Sequence, residues 1–188
     1  DGTHAANGVN GLDGWSNTSG SPDSADDGAA AESWNPNNAA SDGTGYVTMW
    51  ANSSGPNEAM QQTLAAPLVG GTTYTLRLDA ISANGNSPWF NPADIPVNFE
   101  ILDASGSVLL GSVVVQGTEY NSYSIEFTPV ADVNTIIIRP NTAGEGTYPS
   151  VIIDNLSLQA GTISGGDDTI DAGDGEDFII DSTGNDSV

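Results

Sequence analysis

"TYTLRLDAIS", residues Thr73–Ser82, decides the fold class. Tyr74, Leu76, Leu78 and Ala80 fall on one face of an extended chain, and Thr75, Arg77 and Asp79 on the other. That two-residue period belongs to a strand with one buried and one wet face, which antiparallel sheets allow. The same alternation recurs on both sides. Val97, Phe99 and Ile101 oppose Asn98 and Glu100, and Tyr123, Ile125 and Phe127 oppose Ser124 and Glu126.

Working outward, strands are expected at 45–51, 58–65, 73–82, 97–104, 107–116, 120–129, 134–140 and 150–159. Clusters of Gly, Asn, Asp, Ser and Pro separate them, and helical periodicity is nearly absent. This is the pattern of an all-β sandwich. "DASGS" (103–107) reads as a hairpin turn. Residues 1–44 are rich in small polar residues and read as long loops, with at most a short strand near Leu12–Ser16.

Charge bounds the partners. The chain of 188 residues carries 25 acidic residues against two arginines, Arg77 and Arg139, for a formal net charge of −23. Such a chain repels nucleic acid and anionic membrane surfaces and attracts divalent cations. No apolar run approaches the length of a membrane span. Absence of cysteine excludes disulfides and thiolate metal sites. The composition, 37% hydrophobic and arranged in strand-like runs, is that of a folded domain. The chain opens on Asp1 and has no initiator Met, as expected for a segment of a longer protein.

From about Gly14 to Leu158 the chain resembles the galactose-binding-like jelly-roll modules, which include many carbohydrate-binding modules. The residues that carry the resemblance are Gly14, Trp15, Ser21, Pro22 and Asp23, then "AMQQTL" (59–64), "GTTYTLRLDA" (71–80), "YSIEFTP" (123–129) and "VIIDNLSL" (151–158). The resemblance implies a jelly-roll β-sandwich over residues 1–160, more specific for fold than for ligand. In such modules another strand normally precedes the first loop. That strand is expected either upstream or from a neighbouring molecule.

The tail is a second pattern. At a period of nine, Gly166, Gly175 and Gly184 coincide, as do Asp168, Asp177 and Asp186, and Ile170, Ile179 and Val188. Between Gly165 and Asp186 there are eight carboxylates and no basic residue. This looks like the RTX nonapeptide of the calcium-binding parallel β-roll. The resemblance implies that residues 161–188 begin such a roll. Glycines would permit its left-handed turns, and Asp carboxylates with turn carbonyls would ligate Ca²⁺. The aliphatic residues would fill a thin core that forms only with the metal. The alternative is an acidic solvated tail.

Other candidates compete with plainer roles. Asp154 is read as sharing the phase of Ile152, Leu156 and Leu158, which aims a carboxylate at the core. In the resembled modules the matching Asp often ligates a structural Ca²⁺, and the alternative is a cap on backbone amides. Trp89 and Phe90, then Trp34 and Tyr148, are the candidate sugar platforms, each against a loop residue folded onto the sandwich. Trp15 and Trp50 are read as packing. Arg77, Glu100 and Glu126 are read on the wet face of consecutive strands, where they would bond a glycan or form a surface ion pair. Glu100 with Glu126 is the one carboxylate pair considered for glycosidase chemistry.

The expectation is therefore a non-catalytic, calcium-dependent module of a secreted or cell-surface bacterial protein that binds glycans or mediates adhesion. A structural subunit of an extracellular filament or surface layer, a homo-oligomer assembled by strand exchange, is second. A fragment of a glycan-active enzyme is third.

Overall fold

The computed structural model of the chain describes residues 12, 14–26, 40–51, 57–84, 91–142 and 149–161. Eleven strands occur among them: β1 (Trp15–Ser19), β2 (Asp23–Asp26), β3 (Gly45–Trp50), β4 (Ala59–Leu68), β5 (Tyr74–Asn84), β6 (Asn91–Pro92), β7 (Val97–Asp103), β8 (Leu109–Val115), β9 (Asn121–Phe127), β10 (Val133–Thr142) and β11 (Pro149–Ala160). No helix occurs among the described residues. All eight expected strands are present. β1 lies slightly later than expected, and β2 was not anticipated, because "DSAD" offers no large apolar residue to mark an alternation.

The strands form two antiparallel sheets. One has the order β1-β4-β10-β7-β8, and the other β2-β3-β11-β5-β6, with β9 also pairing β5. Successive strands from β8 to β11 alternate between the sheets, which makes the molecule a jelly-roll β-sandwich. The core lies between the sheets. Leu76, Leu78, Phe99, Ile101, Ile136, Ile138, Val151 and Met49 are at most 2% exposed and belong to one cluster. Each comes from the apolar phase of its strand, so alternation and sandwich packing are one fact seen at two scales. Gly111 lets the edge strand β8 approach β9: a Cβ there would stand 2.5 Å from Ile125 Cγ2.

β11 departs from simple alternation. Asp154 pairs with Asp79, but the next pair is Ser157 with Arg77. Asn155 and Leu156 therefore oppose the single Leu78, which is a β-bulge, and Asn155 takes a left-handed φ of 49°. Val151 and Ile153 face the core before the bulge, and Leu156 and Leu158 pack against it afterwards. Asp154 thus does not share their facing. It points away from the core on the same side as Ile152, whose cluster also holds Ala25, Tyr46, Ile81 and Ala83. The single-phase reading of "VIIDNLSL" is corrected by the inserted residue. Residues 162–188, with the expected β-roll, lie outside the described residues.

Candidate functional site

The outer face of the five-stranded sheet carries a polar constellation. On β7, Val97, Phe99 and Ile101 point inward, leaving Asn98, Glu100 and Leu102 outward. On β10, Ile136 and Ile138 point inward, leaving Ile137, Arg139 and Asn141 outward. The register sets Arg139 directly opposite Glu100 and Asn141 opposite Asn98. Arg139 Nε donates to Glu100 Oε2 at 2.8 Å, and Asn141 Nδ2 donates to Oε1 at 2.7 Å. Asn57 Nδ2 in turn donates to Asn141 Oδ1 at 3.2 Å. The Glu100 side chain is 10% exposed and that of Arg139 30%. A carboxylate with both oxygens engaged fixes the positions of a guanidinium and a carboxamide on this face. Ala59, Leu102 and Ile137 form a buried apolar patch on the same side.

This placement corrects the grouping of Arg77, Glu100 and Glu126. Glu100 belongs to the five-stranded sheet, whereas Arg77 on β5 and Glu126 on β9 belong to the other. The three strands are near neighbours along the chain, but jelly-roll crossings assign them to different layers. Glu100 is also buried rather than wet, at 8% exposure. The Glu100 and Glu126 carboxylates sit on opposite outer faces, separated by the sandwich, and cannot act on one glycosidic bond.

The outer face of the six-stranded sheet is built as a grid. One row across β11, β5 and β9 is Asp154, Asp79 and Ser122, and the next is Ser157, Arg77 and Ser124. Asp154 Oδ2 accepts from the Ser41 amide at 2.7 Å and the Asp42 amide at 3.0 Å, and Oδ1 from the Asn155 amide at 2.7 Å. The segment that begins at Ala40 is thereby held across the sheet, over the apolar cluster of Ile81 and Ile152. This is the amide-cap arrangement, and three amide donors around a carboxylate do not make a cation site. Among the described residues no group of three or more His, Cys, Asp or Glu is placed to hold a metal. Asp79 Oδ1 accepts from Ser122 Oγ at 2.6 Å, while Oδ2 lies 2.9 Å from Ser41 Oγ and 3.3 Å from Asn155 Nδ2. The Ser122 hydroxyl, opposed by some burial and helped by Ser41 and Asn155, holds the Asp79 carboxyl below the usual carboxylate range.

A third feature joins the sheets. The chain crosses between them at Gly20–Pro22 and again between Trp50 and Ala59. Glu58 sits at both crossings: Oε2 accepts from the Trp50 amide at 2.8 Å, and Oε1 from the Ser21 amide and hydroxyl at 3.3 Å each. Burial pushes its carboxyl up to about 7, against the pull of the Trp50 amide and with help from the charge of Asp23. Gly20 permits this approach, since a Cβ there would stand 2.7 Å from Glu58 Cγ.

Trp34, Trp89, Phe90 and Tyr148 lie outside the described residues, as do Gly166, Asp168, Gly175, Asp177, Gly184 and Asp186. Trp15 packs against the core, as expected. Sequence reading missed Arg139, Asn141 and Asn57. The run of three isoleucines at 136–138 hides the alternation that would have placed Arg139 and Asn141 outward beside Glu100.

Comparison with known proteins follows the fold. No family model and no curated protein matches the sequence. Among solved structures, an arabinose-bound GH51 α-L-arabinofuranosidase superposes with a TM-score of 0.57 at 14% identity, over 86% of this chain and 25% of that one. The CBM22-1 xylan-binding domain of Paenibacillus barcinonensis Xyn10C superposes with a TM-score of 0.51 at 9% identity, over 79% of this chain and 86% of that one. A CBM4 module matches at 13% identity with a TM-score of 0.45 over 61% of this chain and 83% of that one. Carbohydrate-binding modules are thus structural neighbours of this sandwich, and the likeness is one of fold.

Proposed function

We propose that the chain is a non-catalytic glycan-binding module of an extracellular protein, with the outer face of the five-stranded sheet as its binding surface. The observation that carries this is the buried Glu100 engaged by Arg139 and Asn141, with Asn57 extending the row. A fixed set of planar donors and acceptors on a sheet face suits hydroxyl-rich ligands, and their rigidity lowers the ordering cost of binding. Trp89, Phe90, Trp34 and Tyr148 are proposed as stacking platforms in this reading. Calcium is proposed at the tail repeats, with Asp168, Asp177 and Asp186 as ligands beside Gly166, Gly175 and Gly184.

A glycan array read in millimolar Ca²⁺ tests the module. The wild type should be retained on a neutral polysaccharide, and Asn57→Ala and Trp89→Ala should lose retention with the melting temperature nearly unchanged. Absence of wild-type binding to any polysaccharide would overturn the reading. For the tail, circular dichroism of the full chain should change on chelation, and unchanged spectra would remove the metal.

A second reading, a subunit assembled by strand exchange, has its own observation. β11 pairs with β3 over Ser150–Ile153, but among the described residues Ser157–Ala160 pair with β5 alone. Leu156 and Leu158 stay half-buried beside that edge. An added strand would complete both the ladder and the core there. Fibres seen by electron microscopy in Ca²⁺ support it, and a monomer by light scattering rejects it.

A further inference from the structure

We infer that the hollow around Arg77, on the face opposite the proposed glycan surface, is a second carbohydrate subsite that takes an acidic sugar through its carboxylate. The inference rests on the glycan-binding reading for its ligand class but uses a different face. The hollow measures about 230 Å³ and is lined by Arg77, Asp79, Ser122, Ser124, Asn155 and Ser157, among others. That is the scale of one monosaccharide, below the roughly 300 Å³ at which drug-sized pockets begin.

The chemistry follows from which groups are already engaged. Arg77 is exposed and is one of two basic side chains other than histidine among 25 acidic ones. Among the described residues its guanidinium nevertheless makes no ion pair and no side-chain hydrogen bond, and the hydroxyls of Ser124 and Ser157 are likewise unengaged. The register explains this. Arg77 stands directly between Ser157 and Ser124, while Asp79 is two residues along its own strand and Glu126 is diagonal across β9. Ser157, Arg77 and Ser124 therefore form a row of donors about 10 Å wide across three strands. A guanidinium fork flanked by hydroxyls matches a planar carboxylate.

The second row decides which carboxylate. Asp79 receives three contacts, from Ser122, Ser41 and Asn155, and an ionised carboxylate has about four acceptor positions. It stands about 7 Å along the sheet from the Arg77 row. An inorganic anion or an acidic peptide side chain would meet Asp79 with repulsion alone. A uronic acid brings its carboxylate to Arg77 and ring hydroxyls that donate to Asp79, so both rows are used. The net charge of −23 opposes anions at long range, but at physiological salt this field is screened beyond about 8 Å.

Calorimetry of the full chain in physiological salt tests this with three probes: an oligogalacturonate, its methyl ester, and inorganic sulfate. The acid should bind at least tenfold more tightly than the ester, and sulfate should not compete. Arg77→Gln should lose at least tenfold in affinity for the acid, Arg77→Lys should lose severalfold, and both should melt as the wild type does. Asn57→Ala should leave the acid's affinity unchanged. Equal binding of acid and ester, competition by sulfate, an unaffected Arg77→Gln, or no uronate binding by the wild type would each overturn the inference. Arg77-dependent binding of the acid without any binding of neutral glycans would uphold it while removing the five-stranded face as the glycan surface.

Discussion

Each outer face of the sandwich sets an arginine near an acid, and only one face pairs them. On the five-stranded sheet Arg139 and Glu100 are cross-strand partners and meet at 2.8 Å. On the six-stranded sheet Arg77 and Asp79 share a strand, two residues apart; Asp79 meets hydroxyls and an amide, and among the described residues the Arg77 guanidinium makes no side-chain hydrogen bond. Composition does not separate these outcomes; register does. Opposite positions bring side chains within about 5.5 Å, whereas same-face neighbours along one strand stand about 7 Å apart. The paired face spends its charges on its own architecture and presents amide edges. The unpaired face keeps a cation available.

Four measurements can break or sharpen that contrast. The largest effect is expected for Glu100→Ala, which strands Arg139 and removes the acceptor of Asn141. The loss should be about 2–3 kcal/mol by urea denaturation, below the roughly 3–5 kcal/mol typical of breaking a fully buried pair, because Arg139 is 30% exposed. A loss under about 0.5 kcal/mol would make it an ordinary surface pair and erase the difference between the faces.

Glu58 tests the junction of the two sheets. Its folded carboxyl titrates near 7, above the ordinary 4.5. A raised folded value favours the protonated form, so its stabilising contribution is full below pH 4.5 and is lost as pH rises through 7. Glu58→Gln keeps an acceptor and cannot ionise. Relative to that variant the wild type should lose on the order of 2 kcal/mol between those limits, read as a widening gap in melting temperature. A constant gap would show that Glu58 is not desolvated at the crossing.

Asp154→Ala should cost about 1–2 kcal/mol and speed hydrogen exchange at the Ser41 and Asp42 amides, leaving the Glu100 face unaffected. Unchanged exchange would show that this carboxylate does not hold the crossing segment. Smallest is Arg77→Ala, expected within about 0.5 kcal/mol of wild type. A larger cost would mean that its guanidinium is structurally engaged and that the faces are alike after all.

Much of the fold was legible because alternation survives in single strands. "TYTLRLDA" and "VNFEILDA" each announce an inward apolar face, and Leu76, Leu78, Val97, Phe99 and Ile101 sit on it as expected, although the other face of the second strand is buried too. What was not legible depends on relations between strands. Nothing local says that Glu100 and Glu126 belong to different layers, since layer membership follows from how the chain crosses. The facing of Asp154 was misread because a bulge is invisible to a period-two count, although Asn155, a residue tolerant of left-handed φ, marked the place. Arg139 and Asn141 were missed for a related reason: an isoleucine run shows apolar character without phase. β2 escaped notice because its pairing with β3 comes from backbone bonds and a small buried Ala25.

The bulge in β11 also sets how this strand responds to lost residues. Removing Asn155 would join the two halves in a single phase. Leu156 would then stand alone opposite Leu78, and Leu156 and Leu158 would keep their inward facing, with Ser157 still opposite Arg77. Replacing Asn155 with glycine leaves the count intact and suits its φ of 49°, so it should be nearly silent. A one-residue deletion scan across 150–160 should therefore be damaging on either side of the bulge and mildest at 155, where the lost residue is the extra one in the ladder.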